Sequence, residues 1–347
     1  MIRRFLPLLL LAAPSFASPV CEVVAEGSVL WTGVAVTDDH SVFVNAPRWA
    51  PALPWSVARL DDEGEFTPFP DADWQGWQHG TDPAGVFVAV QSVVIGPAGK
   101  LWVLDTGNPW FMGLVPGATR LLAFDPESGE LVQKIVFAAD VLEPTSYLND
   151  VRIDPDHGAA YLTDSNAGGL LVVDLETGGA RRVLLGHRST MAEDIDVVIE
   201  GKPWRMGPTR PEVHSDGIAY DRERDLVYWQ ALTGRTLYRL PGAVLRDPEL
   251  TDNDLAAKIE TVLVHGPVDG IVCDGGGGIW LSDLEGMALR RWSEKDGLQE
   301  AASGACGPLP WPDSLAATPD GWIYATTSRI HEGVAPQGPY QVVRVRR

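Results

Sequence analysis

Positive charge is scarce in this 347-residue chain. Lys and Arg number 27 against 47 Asp and Glu, a formal net charge of −20. A chain this acidic repels nucleic-acid phosphates and anionic membranes, so neither is expected as a partner. Partners chosen by charge are then cations. Cysteine is rare too, with three residues and no CxxC, which argues against a zinc knuckle or a thioredoxin-type site. Beyond the first residues no apolar stretch is long enough to span a bilayer. The chain has no GxSxG elbow, no HExxH and no Walker loop. The glycine run at 275–278 reads as a hairpin turn, because no helix follows it to cradle a phosphate. Long helices are disfavoured by 36 Gly and 27 Pro. Disorder is excluded by a 45% hydrophobic composition.

The start of the chain reads as a signal peptide, residues 1–17. Arg3 and Arg4 supply a basic end, 5–13 an apolar run, and Ser15 and Ala17 the small residues before a cut. Val20 before Cys21 lacks the small residue of a lipoprotein signal. The mature chain, 18–347, is expected to be one domain, secreted or periplasmic. Export permits disulfides, and three cysteines leave one over. Cys273 lies in an apolar strand pattern and is expected as the free thiol, with Cys21–Cys306 as the pair.

Six segments share one plan: a polar residue, a small residue, an apolar strand, a tight turn and a second apolar strand. They open at Thr32, Gln91, Asp150, Asp216, Asp269 and Asp313. The second strand ends 14 residues after the opening in five of them. It ends 15 after it in the fourth, whose Arg-Glu-Arg-Asp turn is longer. Further strand–turn–strand units follow, as at 120–137 and 170–185. Four antiparallel strands repeated radially make a propeller blade, so the prediction is all-β, a six-bladed β-propeller. A β-sandwich, the rival, does not repeat one hairpin at a constant register. Residues 340–346 read as a third strand lacking its fourth, and 21–27 as an orphan strand, so the N-terminal strand is expected to complete the last blade. One short helix is predicted at 252–262 behind a Thr251/Asp252 cap.

The first strand of each blade lines a central channel, and the start of one strand lies beside the end of the next. The openings therefore share a face with Asp105, Asp164 and Asp283, which close second strands. Four converging Asp repel one another unless a cation or protons intervene. Three outcomes are open. Ca²⁺ or another divalent cation would sit on Asn149, Asp150, Asp216 and Asp269. An organic amine would sit there instead. Or the carboxylates would cap backbone N–H groups of neighbouring blades. His214, two residues before Asp216, is the general acid or base that the register places best, with Asp216 as its partner. Trp49, Trp110 and Phe111 follow second strands and are expected to roof the channel, where they would stack an aromatic or cationic ligand. With Thr32, Gln91, Asn149, Asp150, Asp216, Asp269 and Asp313 they make up the expected ligand-binding set. Trp102, Trp229 and Trp280 sit mid-strand, as packing between blades.

TGVAVTDDHSVFVNAPRW (32–49), SYLND (146–150), GHRSTM (186–191), ALTGRTLYR (231–239) and WPDSLA (311–316), in this order, resemble the yellow / major royal jelly protein family in its bacterial branch. The resemblance runs through essentially the whole mature chain. It implies a secreted six-bladed propeller whose central pocket binds biogenic amines in some insect members. Some insect members are linked to dopachrome conversion. A wider similarity is to the senescence-marker-protein-30 / gluconolactonase group, which holds a divalent metal with a first-blade Glu and later Asn or Asp residues. Here Thr32 stands at the first-blade position and Asp216 where Asn is usual, a departure from the lactonase pattern. The expectation is a monomer binding a small aromatic or cationic molecule, with dopachrome-type isomerisation as its chemistry. A metal-dependent lactonase and a non-catalytic scaffold are the alternatives.

Overall fold

Alternating apolar strands joined by Asp- and Gly-rich turns bury one face only when sheets pack against each other. In the computed structural model, which describes residues 20–50, 52–300, 306–333 and 336–346, they do so as six four-stranded sheets. The predicted signal peptide lies outside the described residues. Blade 1 holds Val34–Val36, Val42–Asn45, Val57–Leu60 and Phe66–Pro68. Blade 2 holds Val90–Ile95, Leu101–Asp105, Arg120–Phe124 and Leu131–Val136. Blade 3 holds Leu148–Asp154, Ala159–Asp164, Leu170–Asp174 and Ala180–Val183. Blade 4 holds Ser215–Asp221, Leu226–Ala231, Thr236–Pro241 and Glu260–Val264. Blade 5 holds Val268–Cys273, Ile279–Asp283, Ala288–Ser293 and Gly297–Glu300. Blade 6 holds Pro312–Ala317, Ile323–Thr327 and Tyr340–Arg346, and Val20–Gly27 is its outermost strand. The ring is thus closed by the N-terminal strand of the described chain, and the Cys21–Cys306 disulfide ties that strand down. Cys273 is free.

The constant register has a structural cause. In blades 2 to 6 the first strand begins with a pair: Val90 with Asp105, Leu148 with Asp164, Ser215 with Ala231, Val268 with Asp283, Pro312 with Thr327. Directly after each pair the ladder shifts. Gln91, Asn149–Asp150, Asp216–Gly217, Asp269–Gly270 and Asp313–Ser314 all lie in those irregularities. Bulges re-aim side chains, and here they gather at the channel. The hydroxyl opposite the bulge accepts its amides: Thr163 from Asp150, Ser282 from Asp269 and Gly270, Thr326 from Ser314. Thr163 then donates to the Asp216 carbonyl of the next blade at 2.6 Å. The Asp-Gly pairs follow from the same crowding. A Cβ on Gly217 would lie 2.3 Å from the Asp269 carbonyl oxygen, and one on Gly270 would lie 2.4 Å from that of Asp313.

Trp102, Trp229 and Trp280 are buried in three separate inter-blade cores, as their mid-strand positions imply. The predicted helix over 252–262 is shorter than expected. Asp252–Ala256 is helical behind a Thr251–Asp254 capping box, but Glu260–Val264 is the outer strand of blade 4. Local propensity yields to the ladder offered by Thr236–Pro241.

Candidate functional site

Every buried acid among the described residues is an Asp, and the Asp residues fall into two groups. Six are paired with arginine: Asp105 with Arg120, Asp150 with Arg152, Asp154 with Arg246, Asp164 with Arg182, Asp221 with Arg224 and Asp283 with Arg290. Asp216, Asp269 and Asp313 have no arginine, lysine or histidine partner among the described residues, although they are only 3%, 8% and 4% exposed.

The acids that close second strands belong to the first group. Asp105 accepts the amides of Val88 and Ala89 at 2.9 and 2.8 Å and faces Arg120 at 3.0 Å. Asp164 accepts those of Tyr147 and Ala167, and Arg182 at 2.9 Å. They occupy the same end of the sheets as the openings, but their charge is spent on their own blade. Capping of backbone N–H groups describes these residues; in the ring, among the described residues, only Asp150 accepts an amide, that of Val151.

The ring itself is a chain of hydrogen bonds. The Trp49 indole donates to the Tyr147 hydroxyl at 2.7 Å, and that hydroxyl donates to Gln91 Oε1 at 2.7 Å. Gln91 Nε2 donates to Asn149 Oδ1 at 3.1 Å, and Asn149 Nδ2 donates to Asp216 Oδ2 at 2.6 Å. Asp216 hydrogen-bonds Asp269, whose Oδ2 also accepts the Trp311 indole at 2.6 Å. Ser328 donates to Asp313 at 2.7 Å. Thr32, at the blade-1 opening, accepts from Asn45 instead. Burial, then the charges of Asp269, Asp313 and Asp150, holds the Asp216 carboxyl well above the usual carboxylate range. Asp313 is raised by burial and by Asp269. Burial pushes Asp269 up to about 7, against the Trp311 hydrogen bond that favours its ion. Two carboxyls that share a hydrogen bond must share a proton.

An aromatic wall stands beside the chain. Phe111 stacks on Tyr147 with ring centres 4.6 Å apart and on Trp49 at 5.9 Å. Phe111 is half exposed. Trp110 points elsewhere: its indole donates to the Ala50 carbonyl and its ring packs on Trp77. Trp110 and Phe111 both hold φ of 57°, a left-handed conformation that non-glycine residues keep only where the surroundings enforce it. His214 is tied to a different loop. Its Nδ1 accepts the Ala192 amide at 2.9 Å, burial lowers its pKa, and the charges that reach it are Glu212 and Asp164. The structure joins Asp216 to Asn149 and Asp269 rather than to His214.

Three residues of this site were not singled out by register: Tyr147, Trp311 and Arg152. Tyr147 and Trp311 precede Leu148 and Pro312, one step outside the strands. Elsewhere Asp154, His157 and Asp225 bring ligand atoms within 4.8 Å of one another. Arg246 bonds both Asp154 and Asp225 there, so the protein supplies that cation itself.

A profile of the major royal jelly protein family matches residues 88–306. Protein yellow of Drosophila erecta is 23% identical over 232 residues, which is 62% of this chain and 41% of that protein. The chain thus aligns with less than half the length of the curated relatives that it matches. Among solved structures, a gluconolactonase from Xanthomonas campestris superposes with a TM-score of 0.56 at 11% identity, covering 97% of this chain and 99% of that one. Regucalcin from Agrobacterium tumefaciens, described as a calcium-binding protein, superposes with a TM-score of 0.55 at 15% identity, covering 95% of each. These likenesses show the fold.

Proposed function

The chain belongs to the major royal jelly protein family, and from that premise we propose that its channel binds a small aromatic cation. The positive group rests on Asp216 and Asp269, and the ring lies against Phe111 and Trp49. The observation that carries this reading is the charge imbalance. Among the described residues the fold supplies an arginine to every other buried acid and leaves three converging carboxyls without one. Burying unpaired acids costs stability, and a bound cation offsets that cost. Organic cations prefer aromatic faces, and Phe111 and Trp49 stack at the other end of the hydrogen-bond chain that reaches Asp216.

The same pair suits a proton shift. Burial raises both carboxyls, and the hydrogen bond between them favours the acid form of Asp216 and the ion of Asp269. A carbon-bound proton of the substrate passes to Asp269, Asp216 gives its proton to a carbonyl oxygen, and the proton on Asp269 then returns to Asp216 across their hydrogen bond. A dopachrome-type isomerisation takes two such one-proton shifts. The ring does not fit a hard divalent ion as well. Calcium takes six to eight oxygens. Asp150 is already neutralised by Arg152, Asn149 Oδ1 is held by Gln91, and no three acidic or histidine donors of the channel converge within 4.8 Å among the described residues.

Titration calorimetry with phenethylamine and its neutral counterpart 2-phenylethanol tests the reading. The amine should bind at least tenfold more tightly. Asp269→Asn should weaken it roughly ten- to a hundredfold, the worth of a charge-assisted contact. Equal binding of amine and alcohol, or none, refutes it.

Export to an oxidising compartment accompanies this function, supported by the Cys21–Cys306 bridge. Non-reducing mass spectrometry after alkylation of unfolded, exported protein should show an N-terminus at Ser18 and one alkylated thiol, Cys273. An intact Met1 or three alkylated cysteines contradicts it.

A further inference from the structure

Among the described residues, Arg152 is an arginine of blade 3 that reaches past blade 4 to the backbone of blade 5. Its Nη1 donates to Asp150 Oδ1 at 2.9 Å and to the Val151 carbonyl at 2.7 Å. Its Nη2 donates to the Ile271 carbonyl of blade 5 at 2.7 Å. On one side this guanidinium meets Asp150 of the ring. On the other, Arg152 lines a cavity of about 800 Å³ at the turn end of the blades, with Asp38, Gly96, Pro97, Pro155 and Tyr220. The side chain therefore ties an acid of the ring in blade 3 to the backbone of blade 5 and lines the cavity at the turn end.

The charges follow from this placement. Four carboxyls open onto the channel, but Asp150 is compensated by Arg152 and also accepts from Ser92 and the Val151 amide. Asp216 and Asp269 share a hydrogen bond and hence a proton. What remains is a small negative charge beside an Asp150 that already holds a fixed positive charge. We propose that Arg152 sets the charge of the ligand: by occupying Asp150 it restricts the channel to singly charged cations and excludes divalent metal ions. This rests on the reading that the acid end of the channel binds a cation. Calcium would meet the guanidinium as well as the acids, whereas an ammonium needs only the Asp216–Asp269 pair.

The test is calorimetry with CaCl₂ and, separately, phenethylamine on the full mature chain. Arg152→Gln leaves Asp150 uncompensated and should raise calcium affinity at least tenfold, because one added charge in a poorly screened site is a large term. Arg152→Lys, which keeps the charge, should stay near wild type. Asp150→Asn/Arg152→Gln, which leaves neither charge unpaired, should return calcium affinity to wild type. Should Arg152→Gln not fold, Asp150→Asn alone frees the guanidinium toward the acid pair and should weaken phenethylamine at least tenfold. Unchanged calcium affinity in a folded Arg152→Gln, an equal gain in Arg152→Lys, or unchanged amine affinity in Asp150→Asn overturns the proposal. The two readings fail separately. A wild type that ignores the amine, with a calcium gain in Arg152→Gln that Asp150→Asn reverses, removes the amine and keeps the role of Arg152. A wild type that binds the amine, with no calcium gain in Arg152→Gln, does the opposite.

Discussion

Asp164→Asn is expected to cost about 3–5 kcal/mol of stability, whether or not any ligand is present. The carboxylate is fully buried, accepts the amides of Tyr147 and Ala167 at 3.0 and 2.9 Å, and faces Arg182 at 2.9 Å. The substitution leaves Arg182 as an uncompensated charge in a site from which water is excluded, although its bonds to the Val141 and Gly168 carbonyls persist. An amide can replace at most part of the acceptor set, since its nitrogen only donates. Urea unfolding measures the loss as a lowered midpoint at unchanged slope. A loss under about 1 kcal/mol would mean that Arg182 finds a new partner, and the pairing would not be the reason Asp164 is there.

Asp216→Asn is expected to act in the reverse direction, although the residue is as polar and nearly as buried. Its carboxyl accepts from the Asn149 side chain and shares a proton with Asp269, and no backbone amide among the described residues donates to it. The sign of the pH dependence follows from the direction of the shifts. Asp216, Asp269 and Asp313 have folded-state pKa values raised above the unfolded value of about 3.9. Their contribution is therefore complete below about pH 4 and is lost as pH rises through the folded values, about 7 for Asp269. The ligand-free protein should lose stability from pH 5 to pH 8, by up to about 1.4 kcal/mol per pH unit for each proton taken up on folding. Asp216→Asn removes one acid and gives Asp269 a neutral donor, so the slope should fall and the variant should exceed wild type at pH 8, by on the order of 1–3 kcal/mol. Phenethylamine should stabilise wild type more than the variant. Thermal unfolding at both pH values, with and without the amine, is the measurement. A variant that is less stable at both, with no response to the amine, would place Asp216 among the architectural acids.

These two aspartates look alike in the sequence. Each stands at a polar end of an apolar strand, and the repeat register puts both at one end of the propeller. The register also determined the blade number, the closing strand, the channel openings and the tryptophan cores, because the inner hairpin of a blade is a local structure that repeats in every unit. The helix was legible only in its cap. Ladder pairing to Thr236–Pro241, a strand well upstream, decided the rest of that segment.

What tertiary structure alone decided is which charges are left over. The arginines that neutralise Asp105, Asp164 and Asp283 lie 15, 18 and 7 residues away, on third or fourth strands, with no common spacing. Arg152 lies two residues from Asp150 but reaches a carbonyl 119 residues distant. Tyr147 and Trp311 enter the site from just outside the strands, carried there by the connections between blades. A repeat encodes where each strand begins, since backbone pairing is periodic. It does not encode which long side chain bends toward which carboxylate, because that depends on reach across neighbouring strands and across the channel, and these distances exist only once the ring is closed.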